Sequence, residues 1–388
     1  MKIIIHRGAR QIGGCVTEIS TENSKVFIDF GADLPDSTTD KPLKQVEGLT
    51  VSDGSTAALF LTHYHGDHTG RIGEVLPEIP IYIGETAKEI LVAYSEHVRS
   101  KDFERIKSFF TFKPLDHIHV GDISVTPLRV DHSAFDSYMF IIEAGGKRIL
   151  HTGDFRLHGF LGNRTPEVLK KYATNIDYMI CENTNLDREA GFIHSEWELK
   201  AEARKIMLEN KYVFVICTST NIDRIRAFYA ANPKERLFIC SEFQKSLLQI
   251  VQNKNGKFYD FSRAMDYATN LDSLMEERGF CAIVRRDEDF AGLMEKYKDK
   301  SAVIYSMWGG YLKGKTRIKE LADFLKGYKP IFCHVSGHAF TDDILSVFEA
   351  VKPKHGFIPI HGETPEKLFE MIPKDKLILL KDGEKLTL

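Results

Sequence analysis

The sequence predicts an α/β protein in which a strand-rich domain is interrupted by a second domain built on a parallel sheet. Three observations carry that reading. Short apolar runs of strand length, separated by turn residues, fill the first half of the chain. From about residue 195, amphipathic helical stretches alternate with such runs, the pattern of a parallel sheet wrapped by helices. The closing segment returns to strand ends beside histidines, as if the first domain resumed. At 388 residues the chain has room for one large domain or two ordinary ones.

Taken in order, "KIIIH", "KVFIDFG", "AALFLT" and "IYIG" read as strands, and "TAKEILVAYSEHV" is the clearest early helix. The strands "ISVTPLRV", "YMFIIEA", "KRILHTGDF" and "YMICE" follow. Beyond them, the helices "SEWELKAEARKIMLEN", "NIDRIRAFYAA" and "SEFQKSLLQIV" alternate with "YVFVICTS", "RLFICS" and "AVIYSM". Residues 1–194 and 335–388 are expected to form the first domain, and 195–334 the insertion.

Composition excludes several classes. No apolar run approaches the roughly 18 residues of a membrane span, and "MKIIIH" is too short for a signal-peptide core, so a cytoplasmic address is expected. The six cysteines form no CxxC pair and most end apolar runs, as buried reduced thiols do. A formal net charge of −3 argues against broad non-specific nucleic-acid binding but leaves room for a local basic channel.

The run "LTHYHGDHTG" crowds His63, His65, Asp67 and His68 into six positions. Residues two apart in an extended chain face the same side, so His63 and His65 can converge on one cation. Asp67 and His68, a turn later, face a second point. Imidazole nitrogens and carboxylate oxygens are the donors that zinc and similar borderline cations take. His132 in "RVDHS", Asp154 in "HTGDF" and His361 in "IPIHGE" all stand at strand ends and can complete the two half-sites. A carboxylate has two oxygens, so Asp154 can bridge. The expected partition is His63, His65, His132 and Asp154 on one ion, and Asp67, His68, Asp154 and His361 on the other. His151 is expected to point away from Asp154. Isolated histidines such as His6, His97, His117, His194 and His355 are expected to be ordinary surface or core residues.

These residues, in this order, resemble the motifs of the metallo-β-lactamase fold, an αββα sandwich, with Asp29 of "FIDFG" matching its supporting strand-end aspartate. Glu182 in "CENTN", His338 in "HVSGHA" and His361 in "IPIHGE" further resemble the three motifs of the β-CASP nucleases, whose inserted α/β domain is a parallel sheet flanked by helices. "HVSGHA" and "IPIHGE", with "GARQIGGC" and "TSTNIDRI", are especially similar to ribonuclease J, over nearly the whole chain. The chain stops at Leu388, where ribonuclease J proteins usually continue into a further domain. The family's "SNIHR" reads "TNIDR" here, with Asp223 in place of a histidine, and "CSEF" stands where an arginine-bearing run is usual. Both changes make an RNA channel less basic.

The resemblance implies a metal-dependent ribonuclease with two divalent ions, zinc in the first place and manganese as the alternative. It gives Asp67 a part in orienting the attacking water, His338 the role of acid to the leaving oxygen, and Glu182 that of holding the His338 ring. Backbone amides at Ser336 and Gly337, with Thr220 and Asn221 of the insertion, are candidates for gripping RNA phosphates; Thr220 and Asn221 serve equally as helix caps. RNA is the expected partner, no membrane is involved, and the chain is a monomer or a dimer. Two other readings compete: a hydrolase of DNA or of small phosphodiesters and esters, and a non-catalytic nucleic-acid-binding regulator.

Overall fold

Along the strand Lys2–Arg7, Ile3 and Ile5 are fully buried while their neighbours are half-exposed. This period of two recurs across two sheets and sets the architecture. The computed structural model describes every residue except 35–42, 44, 187, 189–190, 268–270 and 315. The chain divides into two compact units, Met1–Glu189 with Gly337–Leu388, and Ala190–Ser336.

The first unit holds two sheets. One has seven strands, ordered Lys385–Thr387, Lys2–Arg7, Val16–Ser20, Lys25–Ile28, Ala57–Phe60, Ile81–Gly84 and Phe110–Phe112. Its pairings are antiparallel up to Lys25–Ile28 and parallel beyond. The other has six strands, ordered Gly356–Ile360, Tyr178–Glu182, Lys147–His151, Ser137–Ala144, Ile123–Val130 and Ile118–Val120. Ile3, Ile5, Val26, Ile28 and Phe60 of the first sheet meet Ile123, Val125, Phe140, Ile142, Ile180 and Ile358 of the second in one core.

Residues of opposite parity on the second sheet (Leu128, Met139, Ile141, Leu150, Met179, Phe357) face outward. There they pack with Leu169 of the helix Thr165–Tyr172 and with Ile344, Val347, Phe348 and Val351 of the helix Thr341–Val351. The helix Glu85–His97 lies against Ile81–Gly84 and Phe110–Phe112. Helix, sheet, sheet and helix therefore stack as the αββα sandwich. Every apolar run read as a strand in this part of the sequence forms one. Val16–Ser20 escaped that reading because it buries Thr17 and Glu18 as well as Val16 and Ile19, the Glu18 carboxylate being met by His6 at 2.8 Å.

The second unit holds a six-stranded, wholly parallel sheet, ordered Ala264–Asp266, Leu237–Cys240, Phe280–Ile283, Tyr212–Ile216, Ser301–Tyr305 and Ile331–Phe332. Its helices include Glu196–Glu209, Ile222–Ala231 and Glu242–Asn255, capped by Ser195, Asn221 and Ser241, whose side chains each accept a first-turn amide. All six cysteines are buried and unbridged. Among the described residues no helix is long and apolar enough to cross a membrane.

Candidate metal centre

Six strands of the first unit end on the same residues that the sequence singles out. Lys25–Ile28 delivers Asp29, Ala57–Phe60 leads to His63 and His65, and Ile123–Val130 to His132. Lys147–His151 leads to Asp154, Tyr178–Glu182 ends on Glu182, and Gly356–Ile360 delivers His361. Asp67 and His68 lie on the single turn Gly66–Thr69. Asp29 and His361 sit at φ of 61° and 57°, a left-handed backbone that costs a non-glycine residue on the order of 1–3 kcal/mol. The surrounding structure holds them there: the His361 amide donates to Gly8 O at 2.7 Å, and the Asp29 amide to Phe60 O at 2.9 Å. Gly31 has a different reason. A Cβ there would stand 1.6 Å from the carbonyl of Asp67, so only glycine lets this loop lie against the ligand-bearing turn.

The imidazole protons can be placed from their acceptors. His68 Nδ1 donates to Asp29 Oδ2 at 2.8 Å, and His132 Nδ1 to Gly337 O at 2.7 Å. Thr184 Oγ1 donates to the His361 carbonyl and so accepts from His361 Nδ1, at 2.8 Å. Thr62 Oγ1 donates to Asp29 Oδ2 and accepts from His63 Nδ1, at 2.9 Å. In all four rings Nδ1 is thus engaged and Nε2 turns inward, the arrangement that oriented metal ligands require. One carboxylate, Asp29, fixes His68 directly and His63 through Thr62.

The inward atoms form two groups. His63 Nε2 and His132 Nε2 lie 3.1 and 3.3 Å from His65 Nδ1. His68 Nε2 and His361 Nε2 are 3.3 Å apart, and Asp67 Oδ2 is 3.3 Å from His361 Nε2. Asp154 Oδ2 stands between the groups, 3.1 Å from His68, 3.5 Å from His338, and 3.8 Å from each of His63, His132 and His361. It is buried, yet no hydrogen bond of proper geometry reaches it among the described residues. Nitrogen and oxygen atoms converging at such distances, around a buried carboxylate oxygen without a hydrogen bond, fit divalent cations.

The electrostatics agree. Burial drives His63 and His132 well below the ordinary imidazole value and His65 down to about 4. These rings are thus neutral donors at neutral pH. Burial also opposes charge on His68 and His361, but the carboxylates, Asp154 foremost, outweigh it and raise both well above the usual value. Burial would raise Asp67 and Asp154, yet their neighbouring imidazoles hold both carboxyls below the usual range. This half of the centre attracts positive charge.

Glu182, fully buried, binds His338 Nδ1 through Oε2 at 3.0 Å, while its Oε1 accepts the Phe155 amide at 2.8 Å and the Ala339 amide at 3.4 Å. His338 retains 20% of its side-chain exposure, whereas His63, His68, His132 and His361 are nearly fully buried. His151 faces elsewhere, with Nε2 3.2 Å from Thr17 Oγ1 and Nδ1 accepting the Gly153 amide. Thr220 and Asn221 belong to the second unit, where Asn221 accepts the Arg224 amide at 3.1 Å as a helix cap. Ser336 ends that unit and Gly337 resumes the first. The helix after them opens only at Thr341, and Asp343 already accepts the Phe340 amide.

Sequence reasoning missed Cys15, which joins His68 and His361 in one donor group, and the orienting Thr62 and Thr184. It also missed the buried pair in which Arg156 Nε donates to Asp131 Oδ1 at 2.7 Å. The adjacency of Asp131 to His132, and of Arg156 to the Asp154 turn, was the available signal. The run "GARQIGGC" contains Cys15 but does not mark that role.

Comparison with known proteins supports the same class. Residues 49–219 match the family described as the metallo-beta-lactamase superfamily, and 329–368 the Zn-dependent metallo-hydrolase RNA specificity domain. A solved structure, the crystal structure of a protein of unknown function from Enterococcus faecalis V583, superposes with a TM-score of 0.80 at 23% identity, covering 100% of this chain and 99% of that one. Ribonuclease J of Mycoplasma genitalium is 22% identical over 93% of this chain and 68% of its own length. Ribonuclease J of Sinorhizobium meliloti is 23% identical over 87% and 64%, and that of Helicobacter pylori J99 22% identical over 99% and 60%. The chain thus spans about two thirds of the length of these relatives. The fold and the centre define a metallo-hydrolase of the metallo-β-lactamase superfamily. Within that superfamily, the two matched domains and the ribonuclease J relatives, which cover most of the chain, support the β-CASP, ribonuclease J-like family.

Proposed function

We propose that this chain hydrolyses phosphodiester bonds of RNA at a centre of two divalent cations, zinc in the first place and manganese as the alternative. The observation that carries the reading is Asp154 Oδ2, a buried oxygen without a hydrogen bond that faces both nitrogen groups. His63, His65 and His132 would hold one ion, Asp67, His68 and His361 the other, and Asp154 both. Such a pair activates water near neutral pH and offsets charge on the phosphate oxygens.

The chain's own residues supply the rest. Asp67, on its exposed side of the centre, accepts a hydrogen bond from the attacking water and sets its direction. His338, held through Nδ1 by Glu182, presents Nε2 to protonate the departing 3′-oxygen. The ring's partial exposure lets substrate reach it, and the buried carboxylate fixes its orientation. Amides near Ser336 and Gly337 would grip a phosphate, and Thr220 and Asn221 are separate candidates on the insertion. RNA as the substrate is supported by the names of the relatives and by the description of the domain matched at 329–368. A cytoplasmic location and a monomeric or dimeric state belong to the same proposal.

The test uses end-labelled RNA, end-labelled DNA and a small chromogenic phosphodiester, each with and without chelator. Chelator-sensitive cleavage of RNA alone is expected. Cleavage of DNA or of the small ester with RNA intact would replace the substrate, and fully metallated protein that cuts nothing would leave a binding role. His338→Ala should keep its metal content and lose RNA cleavage by at least about 100-fold. Equal loss of metal would refute the role given to His338.

A further inference from the structure

We infer that Cys15 supplies a sulfur ligand to the second cation, beside His68 and His361, and thereby makes that position selective for zinc over manganese. The inference rests on the metal-centre reading above. Three observations carry it.

Cys15 Sγ lies in one group with a ring nitrogen of His68 and one of His361, all within 4.8 Å of one another. Its backbone is strapped to the ligand-bearing turn: the Cys15 amide donates to Asp67 O at 3.2 Å, and its carbonyl accepts from Gly31 at 3.2 Å. The Asp154 oxygen that lacks a hydrogen bond lies 3.1 Å from the same His68 nitrogen. The thiol is therefore aimed at the atoms that converge on the second ion. Among the described residues no other cysteine joins a group of metal-ligand type.

The chemistry then follows. A thiolate is a soft donor that suits zinc, whereas manganese and magnesium prefer oxygen. With Cys15, the second position would offer sulfur beside two imidazole nitrogens and the Asp154 and Asp67 oxygens, a donor set that zinc accepts. Binding sheds the thiol proton to solvent and changes no oxidation state.

Full-length protein is stripped with chelator and reloaded with cobalt(II), which gives a near-ultraviolet charge-transfer band when bound by thiolate. Two cobalt ions per chain with that band are expected. Cys15→Ser, checked for folding by circular dichroism, should lose the band. It should also give up one zinc ion at a chelator concentration lower by at least about tenfold. Two bound cobalt ions without the band in wild-type protein would overturn the proposal while leaving the metal centre standing, and needs no variant to fold. A band that persists in Cys15→Ser would overturn it equally. Wild-type protein that retains no cobalt and no zinc would remove the centre itself, and this ligand with it.

Discussion

Asp29 orients two rings of the candidate metal centre without joining either nitrogen group. Its Oδ2 accepts from His68 Nδ1 and from Thr62 Oγ1, so one carboxylate sets a ring in each nitrogen group. An asparagine amide turned toward His68 would oppose the Nδ1 proton and favour the wrong tautomer. Asp29→Asn should therefore weaken both metal positions by about 10–100-fold in chelator titrations, and unchanged affinity at either would contradict the assignment. Asp154→Asn should lower occupancy of both positions together in elemental analysis; loss of a single ion would show that Asp154 does not bridge. At this scale the candidate ligands were legible because four of them crowd into "HYHGDH". The tautomer-setting groups were not. Thr184 is near His361, and Cys15 near His68 and His361, only through tertiary contact, so "CENTN" and "GARQIGGC", which contain them, do not mark those roles.

Among the elements, the loops after Ile123–Val130 and Lys147–His151 are locked to one another by a buried ion pair. Arg156 Nε donates to Asp131 Oδ1 at 2.7 Å, the Arg156 amide to the Asp131 carbonyl at 2.8 Å, and the Leu161 amide to Asp131 Oδ2 at 2.8 Å. His132 and Asp154 ride on these two loops. Arg156→Met leaves a buried carboxylate uncompensated, which should cost about 3–5 kcal/mol in chemical denaturation. It should also loosen the first metal position. A variant as stable as wild type would mean that the pair does not fix the loops. Strands were easier to read than such locks: "YMFIIEA" and "KRILHTGDF" carry their apolar faces in sequence, and burial of both faces follows from their length and branching. Val16–Ser20 stayed hidden because its polar residues are buried by partners that a one-dimensional pattern does not show, His6 for Glu18 and His151 for Thr17.

Over the whole molecule, the first unit is assembled from two distant stretches of chain, and the centre needs both. Gly356–Ile360 pairs in parallel with Tyr178–Glu182 and so brings His361 beside residues from the first 154 positions. Gly337, where the chain resumes this unit, accepts the His132 proton, and His338 follows immediately. The insertion of Ala190–Ser336 thus interrupts the sequence without interrupting the sheet. The texture change near residue 195 made this order readable, since parallel-sheet helices and strands replace histidine-bearing strand ends there. The central claim is that two cations share Asp154 Oδ2. Anomalous X-ray diffraction at the zinc edge, on crystals of the zinc-loaded protein, tests it most directly. Two peaks are predicted, one bounded by His63, His65 and His132, the other by His68, His361 and Asp67, with Asp154 touching both. A single peak, or a second one elsewhere with His361 turned away, would contradict the account.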